Sequence, residues 1–128
     1  MHCLNLTLST PEENLALDEA LLLEAEHGNG GEVLRFWESL IPFVVVGIGA
    51  NVKHEVHWEH CQAHHIPVFR RCSGGGTVVQ GSGCLNYSLI LRIPNTGPLS
   101  SIHGTNRSIM EQNAAVIRRL KDAETHMD

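Results

Sequence analysis

Between Arg70 and Leu91 the chain reads RRCSGGGTVVQGSGCLNYSLIL, with three successive glycines set between a pair of arginines and an alternating apolar run. A residue without a Cβ is costly inside a helix or strand and adopts φ > 0 easily, so Gly74, Gly75 and Gly76 dictate a loop. The same freedom lets peptide N–H groups come close to a ligand, and successive amides of that kind form a seat for an anion. Arg70 and Arg71 add permanently charged, forked donors suited to phosphate or carboxylate. Phosphate and carboxylate together suggest activation of an acyl group. The segment departs from the two common nucleotide loops. Thr77, Val78 and Val79 stand where a P-loop needs Lys and Ser/Thr, and TVVQ reads as a strand where a dinucleotide fold opens a helix. The competing reading is a glycine-rich hairpin whose arginines are merely solvated.

The rest of the chain predicts a mixed α/β order. Residues 2–8 are strand-like. Ser9, Thr10 and Pro11, followed by Glu12 and Glu13, mark a helix start; the helix runs to about Glu26, with Leu15, Ala16, Leu21, Leu22 and Leu23 as its inner face and residues 28–31 as its stop. Residues 33–37 and 43–48 read as strands joined by a turn at 39–42. Alternation in the first of these sets Arg35 and Trp37 on one face and Leu34 and Phe36 on the other; with the latter pair in the core, the former pair faces a site. A short helix is expected over residues 56–65, ending before Pro67. Residues 68–71 form the next strand, residues 77–80 and 85–92 a hairpin about Gly81, Ser82 and Gly83, residues 94–101 a loop, and residues 102–121 the last helix. No internal repeat, low-complexity tract or interdomain linker is evident.

At 128 residues and 42% apolar content the chain amounts to one domain or less, with a core of modest size. Nine Lys and Arg face fourteen Asp and Glu, and neither a basic stripe nor an aromatic platform is present, which argues against a nucleic-acid partner. No basic and apolar leader opens the chain and no run approaches the roughly 20 apolar residues of a membrane span, so a cytoplasmic protein without a membrane partner is expected. Cys3, Cys61, Cys72 and Cys84 form no CxxC pair and read as reduced thiols. Cys72 and Cys84 flank the glycine loop, but a nucleophilic thiolate needs a placed base or positive field. His54, His57, His60, His64 and His65 surround Cys61; on a helix His57, Cys61 and His64 share a face that could bind zinc, yet helix surfaces accept histidines freely, and no metal site is expected.

RRCSGGGTVVQGSGCLNYSL resembles the signature of the lipoate-protein ligase family, whose members share a catalytic domain with biotin-protein ligases. NLALDEALL at residues 14–22, LRFWES at 34–39, VVVGIGAN at 44–51 and IPVFRR leading into the glycines follow in the same order. The resemblance implies an α+β fold: a mixed, largely antiparallel sheet flanked by helices, biotin/lipoate ligase-like and class II synthetase-like. It implies ATP with Mg2+, lipoate as substrate, and acceptor lysines on lipoyl domains of 2-oxoacid dehydrogenase complexes or the glycine cleavage H protein. By the same resemblance Arg71, Gly74, Gly75, Gly76, Thr77, Val78 and Val79 contact ATP or the adenylate, and Trp37, Arg70, Ser73 and Asn86 contact the lipoyl group. Trp37 keeps the plainer reading of a half-buried aromatic without a ligand.

No catalytic residue is assigned. The ligases carry an essential lysine in a segment after the last helix, and the lysines here, Lys53 and Lys121, lie outside that motif. The expectation is therefore a truncated, N-terminal portion of a ligase-type catalytic domain over residues 1–128, inactive alone, whose exposed edges and apolar surface favour self-association. A cysteine-dependent octanoyl or lipoyl transferase and a non-catalytic ligand-binding remnant are the alternatives.

Overall fold

Strand β1 (His2–Asn5) leads into a connection whose end is written for helix initiation. In the computed structural model, which describes residues 1–124, helix α1 (Pro11–Glu26) is entered through Thr10. The Thr10 hydroxyl accepts from the Glu13 amide and the Glu13 carboxylate accepts from the Thr10 amide, a reciprocal cap that satisfies two otherwise orphaned donors. The inner face of α1 is not the leucine face expected. Pro11 and Asn14 are buried and Leu15, Asp18 and Leu21 half-buried, whereas Ala16, Leu22 and Leu23 are exposed. The difference has a physical cause: a buried cation in the next strand needs the polar groups of α1.

That cation is Arg35, fully buried in strand β2 (Val33–Trp37). Its guanidinium donates to the backbone oxygens of Leu6 and Asn14, to Asn14 Oδ1 and to Asp18 Oδ1, and it lies 5.4 Å from the centre of the Trp37 ring. Asn14 in turn donates to Leu8 and Thr10 oxygens and accepts from the Leu8 amide. No buried side-chain polar atom among the described residues lacks a partner, which is the condition under which a buried charge is tolerable. Val33, Arg35 and Trp37 thus form the buried face of β2, and Leu34 and Phe36 lie on the half-buried outer one, reversing the expected sides.

The strands divide between two three-stranded mixed sheets. In the first, β1 pairs in parallel with β2, and β2 pairs antiparallel with β6 (Asn86–Ile90), placing Trp37 opposite Asn86. In the second, β3 (Phe43–Val46) pairs in parallel with β4 (Val68–Arg70) and antiparallel with β5 (Val78–Gln80). All four residues of β3 are buried. Phe43 and Val45 pack with Trp37, Leu15 and Phe69, while Val44 and Val46 pack with Cys61, Val52, Val56 and Val68, so a strand covered on both faces reads FVVV without alternation. The expected hairpin between β5 and β6 does not form, because each strand completes a different sheet; the tight turn closed by Cys84 N to Gly81 O carries the chain from one sheet to the other.

The helix expected over residues 56–65 is the shorter α3 (Trp58–Ala63), and a helix that was not expected, α2 (Val52–Glu55), precedes it. Asn51 caps α2 by accepting from the Lys53 amide, and Val56 is extended between the helices, where its side chain packs in the core. The chain divides into two compact units, residues 1–91 and a second beginning at Arg92. The second unit is a 3-10 turn (Pro98–Ser100) followed by α4 (Ile102–Glu124), with Ser101 Oγ accepting from the Gly104 amide and Thr105 Oγ1 donating to Leu99 O. Among the described residues no helix is long and apolar enough to cross a membrane.

Removing one partner of a buried ion pair leaves the other charged and desolvated, at a cost of about 3–5 kcal/mol. Asp18→Ala is expected to lower stability by that order in urea unfolding. Asp18→Leu combined with Arg35→Met is expected to be the less damaging change, since it removes the buried charge itself.

Candidate functional site

The glycine loop lies where β4 ends and β5 begins, and its backbone groups are sorted. Ser73 O accepts from the Ile48 amide; Gly74 O accepts from Arg71 Nε and Nη2 (3.2 and 2.7 Å), and Gly76 O from Arg71 Nη2 (2.9 Å). The amides of Gly74, Gly75 and Gly76 have no acceptor among the described residues. Carbonyls held by the protein and neighbouring amides left open give a local field that favours an anion. Gly75 has φ +93°, a left-handed conformation that glycine adopts without strain, and a Cβ there would lie 2.9 Å from Arg71 Nη2.

A cavity of about 420 Å³ opens beside the loop. Leu15 and Leu22 of α1, Trp37, Phe43, Val45 and Ile90 supply apolar wall, and Asp18, Arg71, Ser73, Gln80 and Asn86 supply polar groups. This combination of an apolar body with a few converging polar groups is that of a small-molecule site. Trp37 is held in the wall: its indole Nε1 donates to Asp18 Oδ2 at 3.1 Å, and its ring stacks on Phe43 at 6.3 Å. Both readings of Trp37 therefore meet in one residue, which is core on one side and cavity wall on the other.

Of the residues expected at the site, Trp37, Arg71, Ser73, Val78 and Asn86 line this cavity. Gly74, Gly75 and Gly76 form the loop beside it. Thr77 turns away, its hydroxyl donating to Glu55, and Val79 is largely exposed on β5. Arg70 lies against a separate cavity of about 180 Å³ and spends one nitrogen, Nη1, on three carbonyls: Gly47 O at 2.7 Å, Ile48 O at 3.0 Å and Ala50 O at 3.0 Å. Sequence reasoning missed Asp18, Gln80 and Tyr87, which also line the main cavity. For Asp18 a signal existed, since Asn14 and Asp18 sit four residues apart among leucines and so break an apolar stripe with two polar side chains on one helix face.

Cys72 also lines the cavity. Burial pushes its thiol above the ordinary cysteine value, and the Glu19 carboxylate pushes it the same way, which disfavours the thiolate. The histidines do not share one face with Cys61. Cys61 points into the core, His57 precedes α3 at its cap, and His60 and His64 stack with ring centres 4.0 Å apart.

The fold is shared with known proteins. The lipoyl protein ligase A/B catalytic domain family matches residues 10–127, and the chain belongs to that family. Lipoate-protein ligase 1 of Staphylococcus aureus is 38% identical over 88 residues, covering 67% of this chain and 25% of the relative. Octanoyltransferase LipM of Carboxydothermus hydrogenoformans is 37% identical over 78 residues, covering 61% and 29%. Among solved structures, a lipoate-protein ligase A bound with ATP superposes with a TM-score of 0.67 at 27% identity, covering 77% of this chain and 40% of that one. A bi-partite lipoate protein ligase from Thermoplasma acidophilum, solved in a study that also describes its E2 lipoyl domain, superposes with a TM-score of 0.59 at 29% identity, covering 67% and 33%. The chain spans about a third or less of the length of these curated relatives.

Since Glu19 raises the Cys72 pKa, Glu19→Gln is expected to bring it back toward the ordinary thiol value. The pH profile of Cys72 alkylation by iodoacetamide, followed by mass spectrometry of its peptide, should move to lower pH in the variant. An unmoved profile would show that the Glu19 charge does not reach the thiol.

Proposed function

We propose that the protein of which these residues form the glycine-loop portion activates lipoate, or a similar medium-chain acid, with ATP and passes it to a lysine of a lipoyl domain. The observation that carries this reading is the row of open amides at Gly74, Gly75 and Gly76 beside a mainly apolar cavity that reaches Arg71 and Ser73. The apolar chain fits among Leu15, Trp37, Phe43 and Val45, and its carboxylate end meets the arginine and the loop. A carboxylate oxygen attacks the α-phosphorus of ATP, the bond to the bridging oxygen breaks, and pyrophosphate leaves. The acceptor lysine amine then attacks the acyl carbon of the mixed anhydride, AMP departs and a proton is released. Oriented amides and the part of the Arg71 guanidinium not engaged with the loop oppose the charge that grows on the phosphate, the type of preorganised field that usually dominates such catalysis.

Magnesium would come with the nucleotide. Such ions are commonly held by one or two carboxylates together with phosphate oxygens, and Glu55, bonded to Thr77 at the end of the loop, is a carboxylate suited to that part. Among the described residues no three His, Cys, Asp or Glu side chains converge to hold a metal alone. Bound magnesium would neutralise phosphate charge. The acceptors implied are lipoyl domains of 2-oxoacid dehydrogenase complexes or the glycine cleavage H protein.

The likeness to an octanoyltransferase supports a second reading, acyl transfer through a cysteine without ATP. The raised pKa of Cys72 weighs against that residue as the nucleophile.

ATP–pyrophosphate exchange by the full-length protein separates the readings. Exchange that depends on lipoate or octanoate is expected; octanoyl transfer without nucleotide would establish the transferase instead, and neither reaction would leave a binding module. Gly75→Val adds a Cβ against Arg71 at a left-handed position, and calorimetry with a non-hydrolysable acyl adenylate should show affinity lowered on the order of 10-fold or more. Unchanged affinity in the folded variant would remove the loop from the site.

A further inference from the structure

The glycine loop does not hold its shape alone. A second glycine segment, Gly47–Ile48–Gly49–Ala50 after β3, lies against its back. A Cβ built on Gly47 would fall 2.0 Å from Gly75 O, 3.0 Å from Gly75 C and 3.3 Å from Gly74 C, so only glycine permits this approach. The Ile48 amide donates to Ser73 O at 2.9 Å and the Arg71 amide to Val46 O at 3.0 Å, stitching the two segments on either side of that contact. Arg70 Nη1 gathers the oxygens of Gly47, Ile48 and Ala50. With Arg71 holding Gly74 O and Gly76 O, each of the four carbonyls from Ser73 to Gly76 is turned into the protein, and the open amides follow from that arrangement.

We infer that Gly47 and Arg70 are positioning residues for the anion seat: the 47–50 segment is the template on which the Gly74–Gly76 amides are aligned, and Arg70 acts on that template and not on the ligand. This inference rests on the proposed reading of the site for its ligand but not for its geometry. A Cβ at Gly47 must displace the Gly75 peptide by about an ångström to restore an ordinary contact, and misplacement on that scale in a catalytic array costs on the order of 10²-fold. Arg70 presents two protons on Nη1 to three carbonyls, and a lysine ammonium with three donors can replace much of that gathering, whereas methionine cannot. A merely structural arginine would show no such split between charge and shape.

Gly47→Ala, Arg70→Met and Arg70→Lys test this in the full-length protein with two probes, pyrophosphate for the seat and octanoate for the apolar cavity. Gly47→Ala and Arg70→Met are expected to weaken pyrophosphate binding on the order of 10-fold or more while octanoate binding changes by about twofold or less, and Arg70→Lys is expected to recover most of the loss. The backbone amide resonances of Gly74, Gly75 and Gly76 should shift in the first two variants and return toward their original positions in the third. Equal loss of octanoate affinity in Arg70→Met would place Arg70 on the ligand and overturn the inference. Unmoved glycine resonances in a folded Gly47→Ala protein would overturn it as well, and should that variant not fold, the Arg70 pair decides. If the unaltered protein binds neither probe, the functional reading fails, while the glycine resonances still judge the template.

Discussion

The guanidinium of Arg35 is the interaction on which the rest depends. A fully buried positive charge is among the costliest things a small domain can contain, and it is tolerated here because five hydrogen bonds surround it, one of them to a carboxylate. Those acceptors belong to two stretches, the connection after β1 and the inner side of α1, and the arginine they surround belongs to β2. Satisfying one side chain therefore fixes where the first helix lies on the first sheet. Asp18 extends the arrangement outward, since its second oxygen receives the Trp37 indole and so settles the plane of an aromatic that is at once core and cavity wall.

The second sheet supplies what the first cannot. β3 is buried on both faces and its end delivers the 47–50 segment, β4 delivers the paired arginines, and β5 receives the chain after the glycines. Neighbouring arginines at the end of β4 divide their work, Arg70, its last residue, reaching back to the first glycine segment and Arg71, just beyond it, forward to the second. Two cations that look like ligand groups in a linear reading are largely engaged with main-chain oxygen in three dimensions.

Much of this was legible. The cap before α1, the bounds of β2 and the loop at the glycines all follow from local chemistry, which is what a sequence displays, and the α+β class came with the family resemblance. The sides of β2 were misjudged because leucine and phenylalanine outweigh arginine in any apolar tally, and only the tertiary network makes the arginine side the inner one. The expected hairpin failed for a similar reason: Gly81, Ser82 and Gly83 encode a turn, but which strands flank a turn as partners is decided by sheets assembled from distant segments. The histidine helix starts later than expected because Val56 is extended and packs in the core. Asp18 escaped notice because a carboxylate within a helix is ordinarily solvated, and nothing local announces the buried cation seventeen residues further along.

No strand pair in either sheet is joined by a tight turn: β1 and β2 are separated by α1, β3 and β4 by α2 and α3, β3 and β5 by β4 and the glycine loop, and β2 meets β6 after the second sheet has been traversed. Every pairing therefore requires closure of a long loop before any contact rewards it, which places the chain among topologies that fold slowly. Arg71 holds the Gly74 and Gly76 carbonyls locally, but the Ser73 and Gly75 carbonyls meet the 47–50 segment only when β3 and β4 are already side by side. The seat is consequently a property of the assembled unit and not of the peptide that bears its glycines, and a ligand held there stabilises that unit against unfolding as a whole.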